Sequence, residues 1–127
     1  MLALRSPREA YRRVDFDARV EATSAQGLVA LCYEQLDSAL AAALIAHERR
    51  DNAVKSRSVT RALSAVTALQ LGIAGEQGVA GALHIFYEAA RRSLLDSAIV
   101  FDPAAIATLR GDFAEVAQAL SANAGTG

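Results

Sequence analysis

Four glycines spaced three residues apart, Gly72, Gly75, Gly78 and Gly81 in the stretch GIAGEQGVAGALH, stand just before an apolar run. A glycine-rich loop ahead of a helix can cradle a phosphate, because backbone N–H groups and the positive end of the helix dipole converge there. That chemistry needs a strand before the loop and commonly Gly-Lys-Ser/Thr at the junction. Here a helical pattern precedes the loop, and no Lys or Arg lies between Leu71 and Ala90. The glycines read as an interhelical loop, with Gly81 an early, weak residue of the next helix.

The other reactive side chains are scattered. His47 and His84 fall on different predicted helices, and neither has a His or Cys three or four residues away, as a metal site would require. Paired carboxylates in a helical core would need acids on inward faces, and Asp37, Glu88 and Glu115 fall off the apolar stripes. Nothing marks a nucleophile turn for a Ser-His-Asp arrangement. A small helical enzyme would therefore depend on a shifted acid or base among Asp37, Glu88 and His84. The expectation is a protein with no catalytic, cofactor or metal residues. Cys32 is the only cysteine, so no intramolecular disulfide can form, and a cytoplasmic setting suits the chain. Between Leu31 and Tyr33 it reads as a small buried hydrophobe.

The elements that hold these residues are helical. Alanine fills 29 of the 127 positions, and it is the strongest helix former because it loses no side-chain entropy on folding. Prolines occur only at Pro7 and Pro103, leaving the long middle free of helix breakers. Thirteen basic and fourteen acidic residues give a net charge of -1, which argues against nucleic acid as a partner. The longest uncharged apolar run, residues 40–46, is too short for membrane insertion. No apolar segment of signal-peptide type follows the first charges.

Residues 1–22 mix charges with isolated apolar side chains and read as an N-terminal arm or short extra helix. A bundle domain is expected over 23–120, and a disordered tail over 121–127. Thr23 and Gln26 form a capping box for a helix from 25 to about 50, whose stripe runs through Leu28, Val29, Cys32, Tyr33, Leu36, Leu40 and Leu44. Asp51 or Asn52 caps a second helix to about 71, with Val59, Ala62, Leu63, Val66 and Leu69 inward and Gly72 as the stop. A third covers 79–99, where Leu83, Phe86, Tyr87, Ala90, Leu94 and Ala98 line one side and Ile85 and Leu95 lie beyond it. Asp102-Pro103 opens the fourth, carrying Ile106, Leu109, Phe113, Val116 and Leu120 at spacings of three and four. Four helices with short connections predict an all-α fold, an antiparallel four-helix bundle.

With the helices placed, the chain resembles the flagellin-specific export chaperones of the flagellar secretion system. The resemblance rests on AYRRV at 10–14, GLVALCYEQL at 27–36, Arg61-Ala62 after Lys55, ALHIFYEAARRSLLDS at 82–97 and a helix start after Asp102. It covers roughly positions 10 to 120, and the order of these segments is more specific than any one of them. The chain differs in having Ala89 where a second tyrosine is usual, and in lacking Trp altogether.

The resemblance implies a non-enzymatic cytoplasmic protein that binds the C-terminal segment of flagellin and keeps it from polymerising before secretion. Other flagellar export components are further candidate partners. Partner-binding residues implied are Tyr11 and Val14 on the arm, and Leu28, Leu31 and Tyr33 on the first helix. Leu63 and Val66 follow on the second, and Leu83, Phe86, Tyr87, Leu94 and Leu95 on the third. Apolar residues beyond one stripe per helix (Ile85, Leu95, Leu31, Leu71) either line a client groove by the helix-in-groove mode or fill the core. The alternative to the chaperone is a helical adaptor with a different protein client.

Overall fold

The connections between the helices follow from the local chemistry of the residues that make them. The computed structural model describes the backbone of residues 25–126 and the side chains of 27–122. Tyr11, Val14 and the side chains of the Thr23–Gln26 capping box lie outside the described residues. Within them are four helices and no strand: α1 (Ala25–Glu48), α2 (Asn52–Leu71), α3 (Val79–Ile99) and α4 (Pro103–Thr126).

The α1–α2 turn is closed by two bonds of Schellman type, Asp51 N–H to the Ala46 carbonyl at 2.8 Å and Arg50 N–H to His47 at 3.2 Å. Such a turn places its pivot residue in the left-handed region, and that residue is Arg50, with φ 57°. A side chain there crowds the following carbonyl by about 1 kcal/mol or more, a penalty glycine avoids. Arg50→Gly is therefore expected to raise stability by about 0.5–1 kcal/mol, read as an upward shift of the urea midpoint. An unchanged or lower midpoint would show that the Arg50 side chain contributes more than its backbone strain removes. Asp51, one of the two expected caps, then starts α2 by accepting the Val54 N–H at 3.1 Å.

The glycine loop is the α2–α3 connection. Gly72 ends α2 with a right-handed φ of -84°, so it stops the helix without the left-handed turn usual for a terminal glycine. Gly78 caps α3 at φ 63°, where a β-carbon is strained. Gly81 is more constrained than the sequence suggests. A β-carbon there would sit 2.6 Å from the Glu76 carbonyl oxygen, so the loop folds back across the first turn of α3 only because position 81 has no side chain. His84 fastens the same loop through Nε2, which lies 3.1 Å from the Gly75 carbonyl oxygen. At the last connection Asp102 accepts the N–H groups of Ala104 and Ala105, with Pro103 in the first position of α4.

That helix continues to Thr126, through residues 121–126 where the sequence reading places a disordered tail. Ala122 in this stretch favours the extension, and no proline interrupts it.

Short turns fold successive helices antiparallel. α1 packs against α2 and α4, and α2 also against α3, whereas α3 and α4 meet only sparsely. The core is one cluster with contributions from all four: Leu36, Ala39 and Leu40; Ala62, Val66 and Leu69; Tyr87, Ala90 and Leu94; Ile106, Leu109 and Phe113. α1 is long and apolar enough to cross a membrane, with mean hydropathy 1.5 over Gly27–Glu48. In this fold its Leu36, Ala39, Leu40 and Ala43 are buried inside the bundle, while Glu34 and Asp37 face outward.

Candidate client-binding surface

At the centre of the bundle α1, α3 and α4 meet through four aromatic rings. Tyr33 and Tyr87 bring their hydroxyls within 2.7 Å of each other. Phe113 stacks parallel to Tyr87 at 6.1 Å and edge-on to Tyr33 at 5.5 Å. Phe86 lies 4.7 Å from Phe113 and is only half buried, so the cluster reaches the surface there. Burial drives the Tyr33 hydroxyl well above the ordinary tyrosine range and raises that of Tyr87. The mutual hydrogen bond raises Tyr33 further and partly offsets the effect on Tyr87. Both are neutral groups, each satisfying the other. Burial likewise pushes the Cys32 thiol up, away from the thiolate that reactivity needs.

Asp37, Glu88 and His84 each have a partner in the structure. Asp37 receives Arg110 at 2.7 Å on the exterior, which lifts the Arg110 guanidinium above its usual range. Glu88 pairs with Arg91 one turn along α3, and His84 holds the loop. His47 takes the Lys55 ammonium at Nδ1, 3.2 Å away, and lies against Phe101 at 4.7 Å. Lys55 also sits 5.0 Å above the Phe101 ring, so the α3–α4 turn is clamped to the ends of α1 and α2.

Where α3 and α4 fail to close on each other, a shallow trough opens. It consists of two adjoining hollows of about 440 and 420 Å³ that share Ser93, Asp102 and Ala105. Phe86, Ala90 and Leu109 make its floor, and small side chains, Ala89, Ala104 and Thr108 among them, make its walls. At one end it runs out between Ile99 and Val100, which are 84% and 74% exposed. Further along the outside of the bundle Ile85 is 76% exposed and Leu71 83%. Isolated apolar residues such as Leu71 and Ile85 are ordinary on a surface, but Ile99 and Val100 side by side at the mouth of an open trough are the pattern of an interaction site.

A protein-family model described as flagellar protein FliS matches residues 7–123. The chain belongs to the FliS family. Neither the curated proteins nor the solved structures yield a match. FliS proteins are chaperones of flagellar assembly and export, and the four-helix fold fits that membership.

In this FliS-family chain the partner-binding residues inferred from the resemblance divide into two groups. Tyr87 and Leu94 are 1% and 0% exposed, and Val66, Leu31 and Tyr33 are also buried. No surface of these five is offered to a client in this conformation, because the helical stripe that makes a residue look available for binding is the same stripe that builds the core. Leu28, Leu63 and Leu83 are half buried, Phe86 floors the trough and Leu95 is exposed. Of the four surplus apolar residues, Leu71, Ile85 and Leu95 lie outside and Leu31 inside. Sequence reasoning missed Ala89, Ser93, Ala104, Ala105 and Thr108. Their signal was small size on facing helices, which a search for large apolar side chains passes over.

Proposed function

We propose that this FliS-family chain is a cytoplasmic export chaperone that holds the C-terminal segment of flagellin and delivers it unpolymerised for secretion, by binding alone and without catalysis. The observation that carries the reading is the open α3/α4 trough with its apolar continuation along Ile99 and Val100. A flagellin segment that packs into the filament must bury an apolar face, and before assembly that face would self-associate. An exposed apolar trough on a stable bundle gives it somewhere to fold, and such coupled folding buries about 1,000–3,000 Å². Ordering the segment costs roughly 2–5 kcal/mol, which keeps the complex releasable.

The arm enters this reading through Tyr11 and Val14, whose apolar side chains stand among charges in the sequence. We propose that the arm competes with flagellin for the trough, a reading that rests on sequence and resemblance. Size-exclusion chromatography with flagellin tests the main claim: a one-to-one complex is expected, and it disappears when the last few dozen residues of flagellin are removed. A complex indifferent to that truncation, or none at all, would point instead to an adaptor with another client. Deleting residues 1–16 is expected to raise flagellin affinity or lower solubility; if neither changes, the arm has no covering role.

A further inference from the structure

The trough is charged on one side of neutrality only. Asp96, Asp102 and Asp112 line it, and no Lys or Arg does among the described residues. Asp102 is occupied as the cap of α4. Asp96 and Asp112 are exposed and form no ion pair among the described residues. They mark opposite ends of the trough, because Asp112 on α4 is level with the Phe86 end of α3 while Asp96 is near the last turn of α3. From Phe86 to Ile99 the helix rises about 20 Å, room for an occupant of three to four turns. The walls of alanine, serine and threonine let a helix backbone come close, and leave no space for a bulky ridge.

We propose that this trough selects a helix with a narrow, small-residue apolar ridge flanked on both sides by Arg or Lys set about three turns apart, so that one cation meets Asp96 and the other Asp112. This rests on the client-binding reading above and specifies the chemistry of the client segment that the trough takes. Complementary charge at the two ends fixes the direction and register of the occupant, while the accessible part of Phe86 and the exposed Ile99 and Val100 supply the apolar contact. An acidic helix with the same apolar ridge is turned away by two uncompensated carboxylates.

The test uses the full chain and two synthetic alanine–leucine helices of about 20 residues, long enough to be helical in isolation. They are identical except that the flanking positions carry lysine in one and glutamate in the other. Fluorescence anisotropy is expected to show the lysine helix binding at least about tenfold more tightly, with the margin shrinking as salt rises from about 50 to 500 mM. The Asp96→Lys/Asp112→Lys variant is expected to reverse the preference, and Ala89→Phe to weaken both helices by filling the trough. All three positions are exposed, and circular dichroism checks that the variants remain folded. Equal binding of the two helices, or an unaltered preference in the charge-reversed protein, overturns the proposal. So does a dimer of the free protein that Asp96→Lys/Asp112→Lys dissolves, since the occupant is then a second copy of this chain. Flagellin bound normally by both variants removes the trough from the chaperone's working surface and leaves the chaperone reading standing. Flagellin ignored by the wild-type protein removes the chaperone reading, while the helix pair still decides the trough.

Discussion

Leu94→Ala is expected to lower the unfolding free energy by about 2–5 kcal/mol, whereas Leu95→Ala, one residue along, changes it by no more than about 0.5 kcal/mol. Leu94 is fully enclosed among the helices, so truncation removes its burial energy and leaves a cavity that the neighbours only partly close. A domain of this size has about 5–15 kcal/mol to lose in total, so the first variant approaches the limit of folding. Leu95 is 39% exposed and takes little burial energy with it. On binding the two are alike: neither residue lines the trough, so flagellin affinity, measured on the folded fraction, stays near wild type for both variants. Urea titration and calorimetry with flagellin give both numbers. Equal stability losses at the two positions would mean that α3 is turned differently in solution.

The second large effect concerns the buried tyrosine pair. Tyr87→Phe leaves the Tyr33 hydroxyl in the core without its partner, which costs about 1–3 kcal/mol. Removing both hydroxyls in Tyr33→Phe/Tyr87→Phe restores most of that loss, because no polar group is then stranded. A double-mutant cycle reads the difference directly. Alkaline pH probes the same pair. Both folded-state pKa values are raised above the unfolded value of 10.0. Above that pH the unfolded chain releases protons that the native pair retains, so the unfolded state is favoured. The pair's contribution is complete below about pH 10 and is lost as pH climbs beyond it. The urea midpoint should fall through that window in the wild type, and fall less in the double phenylalanine variant. Parallel falls in the two proteins would show that other groups govern alkaline unfolding.

The helices were legible in the sequence because several of their boundaries had a chemical marker. Asp51, Gly72, Asp102 and Pro103 fell where caps and stops were expected, and the periodic stripes gave Leu36, Leu40, Val66, Leu94 and Ile106 as inward residues. The left-handed Arg50 was not legible, because arginine carries no preference for that conformation and only the Schellman bonds reveal it. Nor was the continuation of α4, where a run rich in small residues reads equally as helix or as tail. The surface was half legible. Ile85, Leu71 and Leu95 stood out as apolar residues beyond the stripe, and they are exposed. The trough was hidden for a different reason: it exists through what α3 and α4 do not touch, and periodicity records contacts rather than gaps. Ala89 was noticed as a small residue where resemblance suggested a tyrosine, and it lines that gap.

The uneven way the helices lean on one another has a mechanical consequence. α1 and α2 form a firm hairpin, and α3 is carried by α2 and α4 by α1. α3 and α4 are joined at one end by the turn that Lys55, His47 and Phe101 rivet down, and further along by Phe86 and Tyr87 against Phe113. A wedge entering between these two blades therefore has slack only along the outer edge between rivet and ring cluster, where they can part slightly while Tyr33, Tyr87 and Phe113 stay together. Amide protons on the facing sides of α3 and α4 then exchange with solvent sooner than those on α1, and they slow when a guest is lodged between the blades.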